Sequence, residues 1–295
     1  MTERKLVQVV DALETSDGAG VKLRRSLGGR PGLRLDPFLM LDEFGTENPD
    51  DYIAGFPPHP HRGFTTVTYM LDGHMQHRDH LGNVGDLGPG GVQWMDAAHG
   101  VIHSEMPQQD HGRMRGMQLW LNLPAVEKMK PAFYRDLAPQ QIPVVALEGG
   151  GEVKVIAGTA MVDEKSVTGP INTADRPVAT DPLYLDIALP GGGVFTHPIT
   201  AGHNAFIYVL EGGVRIGPDH QRLGLHGAGI LGREGERATI AAEGGAARFL
   251  LLAARPLGEP VVQYGPFVMN TRDEVEQAMR DYQAGTLTAE PAPQS

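Results

Sequence analysis

Short apolar or alternating runs recur through residues 5–130, each ended by Gly or Pro. Phe64-Thr65-Thr66-Val67-Thr68-Tyr69-Met70-Leu71 and Gly116-Met117-Gln118-Leu119-Trp120-Leu121 are examples. Runs of about four to eight residues rich in β-branched and aromatic side chains predict strands. The pattern resumes at 153–158, 183–189, 205–210 and 246–253, and residues 159–182 read as a long polar loop. The stretch 131–143, with Ala138-Pro139-Gln140-Gln141-Ile142-Pro143, offers little to pack and reads as a linker. The expected fold class is therefore all-β in two domains, 1–134 and 144–285, with a disordered polar tail at 286–295.

One helix is expected, over about 271–284. Thr271 and Glu274 form a capping box, Val275, Ala278, Met279 and Tyr282 make the apolar stripe, and Gly285 supplies the stop. There is also a weak repeat, because Tyr69-Met70-Leu71-Asp72-Gly73 returns 139 residues later as Tyr208-Val209-Leu210-Glu211-Gly212. An apolar strand running into an acid and a glycine, with similar strand spacing around both copies, points to duplicated small barrels.

Composition sharpens this in three ways. In 295 residues there are 39 Gly and 23 Pro, spread along the chain, which fits many tight turns. The formal net charge of −11 repels a phosphate backbone, so direct nucleic-acid binding is not expected. The absence of cysteine removes disulfides, thiolate metal sites and cysteine nucleophiles, leaving His, Asp and Glu to hold any metal. No run approaches the roughly 20 apolar residues of a membrane helix, and the N-terminus does not read as a signal peptide. A soluble, cytoplasmic protein with no membrane contact is expected.

The chemistry concentrates in one segment, since more than half of the twelve histidines lie between 59 and 103. In extended chain, positions i and i+2 share a face, so His59 and His61 can reach one point, as can His103 and Glu105. Two such pairs converge on a single ion if their strands are neighbours. Three imidazoles and a carboxylate suit Fe(II), Mn(II), Ni(II), Cu(II) or Zn(II) rather than Ca or Mg, and leave open positions for substrate. A lone H-x-H is usually packing or surface; two matched pairs reverse that balance. His74, His77 and His80 read as loop or surface residues, His99 as an outer neighbour of the site, and Arg62 as a structural pairing residue. The 139-residue offset carries His59 and His61 onto Pro198 and Thr200, so the second barrel is expected to hold no metal.

The stretches 35–44, His59-Pro60-His61-Arg62-Gly63-Phe64, Gln93-Trp94-Met95, His103-Ser104-Glu105-Met106-Pro107 and Gly265-Pro266-Phe267-Val268-Met269-Asn270-Thr271 together resemble the pirin family, a bicupin family, over about residues 5–284. The resemblance implies two cupin barrels stacked face to face. It also implies iron in the first barrel on His59, His61, His103 and Glu105, with Fe(II) expected and Ni, Mn, Cu, Co or Zn as alternatives. Several pirins resemble quercetin 2,3-dioxygenases, which open a flavonol ring with O2 and release carbon monoxide. That makes a flavonol-like aromatic and O2 the expected partners, with Glu105 as catalytic base. Phe44, Phe56, Trp94 and Met95 are candidate pocket walls. The competing expectation is an iron-dependent redox sensor that binds a protein partner without turnover.

Overall fold

A computed structural model describes residues 2–30, 32–162 and 165–289. The chain divides into two compact units, and neither is contiguous. One contains 14–34, 38–139 and the chain from Leu257 onwards; the other contains the chain up to Leu13, 35–37 and 140–256. This departs from the contiguous blocks 1–134 and 144–285. The reason lies in strand pairing: Leu6–Asp11 pairs antiparallel with Gly227–Leu231, and the C-terminal helix packs its Val275 and Ala278 against Phe267 and Met269.

The unit containing residue 59 has a seven-stranded and a four-stranded sheet. The larger orders its strands Phe133–Leu137, Val92–Asp96, Phe64–Asp72, Met114–Asn122, Phe38–Thr46, Val21–Leu27 and Leu13–Asp17. The smaller runs Phe56–His61, Val101–Pro107, Met75–Asp79 and Val84–Leu87. Leu23, Phe44 and Met70 from the first meet Met75 and Leu87 from the second in one apolar cluster. Met75–Asp79 and Val84–Leu87 of the smaller sheet alternate buried and more exposed positions, whereas Phe64–Asp72 in the larger sheet is buried along nearly its whole length, and the facing apolar sides of the two sheets close on each other. The second unit repeats the plan with a seven-stranded and a four-stranded sheet. Its core joins Val155, Leu185, Ile207 and Phe249 to Phe195, Ile216 and Ile240.

Most expected strands are present, Leu183–Leu189 with the same ends and Phe64–Asp72 one residue longer. Both copies of the repeat end a sheet strand, and Gly73 and Gly212 follow with φ of 84° and 71°. Three expectations need correction. Phe133–Leu137, inside the supposed linker, is an edge strand on Val92–Asp96. The supposed loop 159–182 opens with a hairpin, Thr159–Val162 against Lys165–Thr168, in which Ala160 and Val162 are buried while Met161 is exposed. Four residues of period-two alternation are too few to stand out beside the polar stretch that follows. The tail is ordered at least to Ala289, with Leu287 buried in the cluster under the helix; residues 290–295 lie outside the described ones.

The helix spans Arg272–Gln283, and both bonds of the Thr271/Glu274 capping box are made. Its stripe buries Val275 and Ala278 fully, while Tyr282 stays 42% exposed. This C-terminal segment is tied to the first barrel by two buried cations. Arg62, as expected a structural residue, donates to the Asp281 carboxylate at 2.6 Å, to the Leu287 carbonyl at 3.1 Å and to the His99 carbonyl. The Lys128 ammonium donates to the Gly63 and Val268 carbonyls and to Asn122 Oδ1 at 2.6, 3.0 and 2.6 Å, which uses all three of its protons. Gly63 has φ 92°, and a Cβ there would collide with the Val268 carbonyl oxygen, so this crossing admits only glycine.

Candidate metal centre

The strand Phe56–His61 is an edge strand of the four-stranded sheet, the place where its three prolines (Pro57, Pro58 and Pro60) are tolerated, since none can donate to a ladder. It pairs antiparallel with Val101–Pro107 so that His59 stands directly opposite His103. Opposed residues share a face, and this one is the barrel interior. His59, His61 and His103 each bring a ring nitrogen within 4.8 Å of the others. The ladder skips between His103 and Glu105, setting Glu105 opposite Phe56. On its other side Val101–Pro107 pairs regularly with Met75–Asp79, placing Glu105 opposite His77 and His103 opposite Asp79. A second group, His77, His103 and Glu105, also falls within 4.8 Å.

These groups are deeply buried: His61 is 3% exposed, His103 1% and Glu105 6%. His61 Nδ1 and His103 Nε2 have no hydrogen-bond partner, whereas His59 Nδ1 is engaged by the Pro57 carbonyl at 2.8 Å. Burial, and then the neighbouring imidazoles, hold the pKa values of His61 and His103 well below the usual histidine range, so both rings are neutral with a lone pair free to coordinate. Buried ring nitrogens without partners are rare in a folded protein unless something else satisfies them. The residues therefore fit a metal ion, and the histidine and carboxylate donors could hold one.

Above the cluster is a cavity of about 610 Å³ whose walls include His59, His61 and Glu105, with Leu23, Met40, Phe44, Phe56 and Trp120 supplying apolar surface. Of the expected walls, Phe44 and Phe56 are present and Trp94 and Met95 are not. The Trp94 indole donates to Asp96 at 2.8 Å, and Met95 packs with Ala97 and Val101. Trp120, on the central strand Met114–Asn122, takes that place, its ring 5.3 Å from His61 in an edge-on arrangement.

The chain matches the family model described as Pirin over residues 20–121 and the one described as Pirin C-terminal cupin domain over 184–288. It belongs to the pirin family. A Pseudomonas aeruginosa protein with the provisional name quercetin 2,3-dioxygenase is 52% identical over 285 residues, covering 96% of this chain and 98% of that one. A crystal structure titled quercetin 2,3-dioxygenase from Acinetobacter baumannii is 34% identical, with TM-score 0.87, covering 97% of this chain and 99% of that one. An Escherichia coli pirin described as a complex with nickel(II) is similar in fold, with TM-score 0.64 and 18% identity over 84% of this chain and 98% of that one. Two cupin domains, with one α-helix among the described residues, are thus the architecture of this pirin.

Besides Trp120, the site residues His77, Thr68 and Gln118 were not legible beforehand. His77, read as loop or surface, is 1% exposed on the Met75–Asp79 strand; His74 and His80, read the same way, are exposed. The signal was available, because Met75-x-His77-x-Asp79 alternates like a half-buried strand. Thr68 Oγ1 lies 3.0 Å from Glu105 Oε1 and 2.6 Å from Gln118 Oε1, a polar chain inside an apolar strand. His99 belongs to neither cluster. Its ring meets the Lys130 carbonyl, and its backbone carbonyl accepts from Arg62.

Proposed function

We propose that this pirin is a metal-dependent dioxygenase that opens the ring of a flavonol-like substrate with O2, its metal held by His59, His61, His103 and Glu105. The observation that carries this reading is the pair of unpartnered buried nitrogens, His61 Nδ1 and His103 Nε2, beside His59 and Glu105 at the base of a 610 Å³ cavity with aromatic walls. Similarity to the proteins named for quercetin 2,3-dioxygenase supports the choice of substrate class. Fe(II) is the metal this reading favours, and nickel serves as the practical probe. A bound divalent transition metal would supply Lewis acidity and a redox-capable centre.

The chain's own residues supply the rest. Phe44, Phe56 and Trp120 offer flat apolar surface to an aromatic ring and keep water from it. Glu105 accepts the phenolic proton. Thr68 makes this reversible, because its one hydroxyl proton can serve either neighbour. With Glu105 ionised, Thr68 donates to it; once Glu105 carries a proton, that proton points to Thr68 Oγ1 and the hydroxyl turns to Gln118 Oε1.

The test is anaerobic loading with Fe(II), then quercetin in air, with absorbance loss and carbon monoxide recorded together. Metal-dependent turnover that falls about 100-fold or more in Glu105→Gln, with metal retained, is expected. Unchanged turnover in that variant overturns the base assignment. Stoichiometric metal without turnover in the wild type overturns the dioxygenase and favours the redox sensor with a protein partner.

A further inference from the structure

Behind His103, on the side away from His59, lies a row of groups outside both the cavity walls and the four proposed ligands. His103 Nδ1 is 3.2 Å from His77 Nδ1, and His77 Nε2 is 3.4 Å from Asp79 Oδ2. The His77 and Asp79 side chains are each 1% exposed. Asp79 is itself fixed, since its Oδ1 accepts the backbone N–H groups of Leu81 and Asn83 and its Oδ2 accepts Asn83 Nδ2. The His77 ring is stacked on Tyr134, with centroids 4.5 Å apart and planes 24° apart. Tyr134 is anchored in turn, donating to Asp136 at 2.7 Å and accepting from Gln93 at 3.1 Å. His77 thus has a defined position and a defined ring plane.

Proton accounting along this row has one solution for neutral rings. An ionised carboxylate only accepts, so His77 Nε2 carries the proton that faces Asp79. His77 Nδ1 is then a bare lone pair. The 3.2 Å contact between the two Nδ1 atoms needs a donor, and it must be His103. With its proton on Nδ1, His103 presents its lone pair at Nε2, the very atom left buried and unpartnered.

We infer that Asp79 and His77 are positioning residues which fix the tautomer and ring plane of His103, so that its Nε2 is preset for coordination. The inference rests on the reading of His103 as a metal ligand and deepens it. A carboxylate–histidine pair behind a ligating histidine sets its tautomer and raises its basicity, and losing such support typically costs about 10–100-fold in metal affinity. It also accounts for the second histidine cluster: His77 lies within 4.8 Å of Glu105 and His103 because it backs the site.

The test has two arms. In the metal-free wild type, long-range 15N NMR of the imidazoles should show His103 protonated at Nδ1; protonation at Nε2 overturns the inference without any variant. Nickel(II) is then titrated calorimetrically into the wild type, His77→Phe and His77→Gln. Phenylalanine keeps the stack on Tyr134 and removes the acceptor, so a 10–100-fold weaker Kd is expected. Glutamine restores an acceptor oxygen and should recover affinity to within about threefold of the wild type. His77→Phe that binds nickel as tightly as the wild type overturns the positioning role. A wild type that binds no nickel overturns instead the metal reading beneath it.

Discussion

The two barrels share a sheet plan and differ in what they turn inward. In the first, the interior pairs of the four-stranded sheet are His59 opposite His103, His61 opposite Val101 and Glu105 opposite His77. The second barrel has the same strand order, and its buried pairs are Phe195 opposite Ile240, His197 opposite Ala238 and Ala242 opposite Val214. Face by face, phenylalanine stands for His59, isoleucine for His103 and alanine for Glu105. His77 and Asp79 correspond to Val214 and Ile216, and Thr68, through the repeated Tyr-x-Leu-acid-Gly strand end, to Ile207. Five of these six replacements are aliphatic and the sixth is Phe195, and all six sit in the second barrel's core cluster. One interior face therefore carries imidazoles and carboxylates where the other packs mostly hydrocarbon. The 139-residue offset had pointed to Pro198 and Thr200; the buried face corrects these to Phe195 and His197.

The largest effect should come from making the first barrel resemble the second. His103→Ile is expected to abolish nickel binding within the range of a calorimeter; in the metal-free protein it removes one unpartnered buried nitrogen, Nε2, and strands another, His77 Nδ1, so the two effects offset and the thermal midpoint should change little. A fall of several degrees would contradict this.

Next comes the clamp of the first barrel's C-terminal segment. Lys128→Met strands two carbonyl oxygens and Asn122, and should cost about 3 kcal/mol in urea unfolding. A loss below about 1 kcal/mol would show that the ammonium is not what closes this segment.

On the face that matches the first barrel's histidine pairs the second barrel keeps one imidazole, His197, and it should reveal itself by pH. His197 Nε2 accepts the Met161 N–H at 3.0 Å, and burial lowers its pKa to about 4 from the ordinary 6.5. The unfolded chain therefore binds the extra proton first. His197 contributes fully above about pH 6.5, and as pH falls towards 4 stability drops by up to about 3 kcal/mol. In His197→Phe this part of the acid slope should vanish; an identical slope in both proteins would place the titrating group elsewhere. The smallest effect is local: Thr271→Ala removes the helix cap and should cost about 1 kcal/mol, seen as faster amide exchange in the first turn.

The sequence was most legible where residues act in short range. The i, i+2 rule put His59 with His61 and His103 with Glu105, and the capping box marked where the helix begins. What it could not show is set by pairing partners far along the chain. Nothing local assigns Leu6–Asp11 to Gly227–Leu231, or brings Leu287 under Arg62. His77 was misread for the same reason: whether a histidine two residues past a turn faces core or solvent depends on the strand beside it, here Val101–Pro107. Thr68 looked like an ordinary strand threonine because its role comes from Glu105 and Gln118 on neighbouring strands.

On the proposed reading one barrel holds a metal where its twin packs hydrocarbon around a single imidazole, His197. The direct measurement is a crystal structure of the nickel-loaded protein with anomalous scattering at the metal edge. One strong peak is expected, within about 2.0–2.3 Å of ring nitrogens of His59, His61 and His103 and of a Glu105 oxygen. A peak beside His197 instead, or none at the His59–His103 pair, would contradict it.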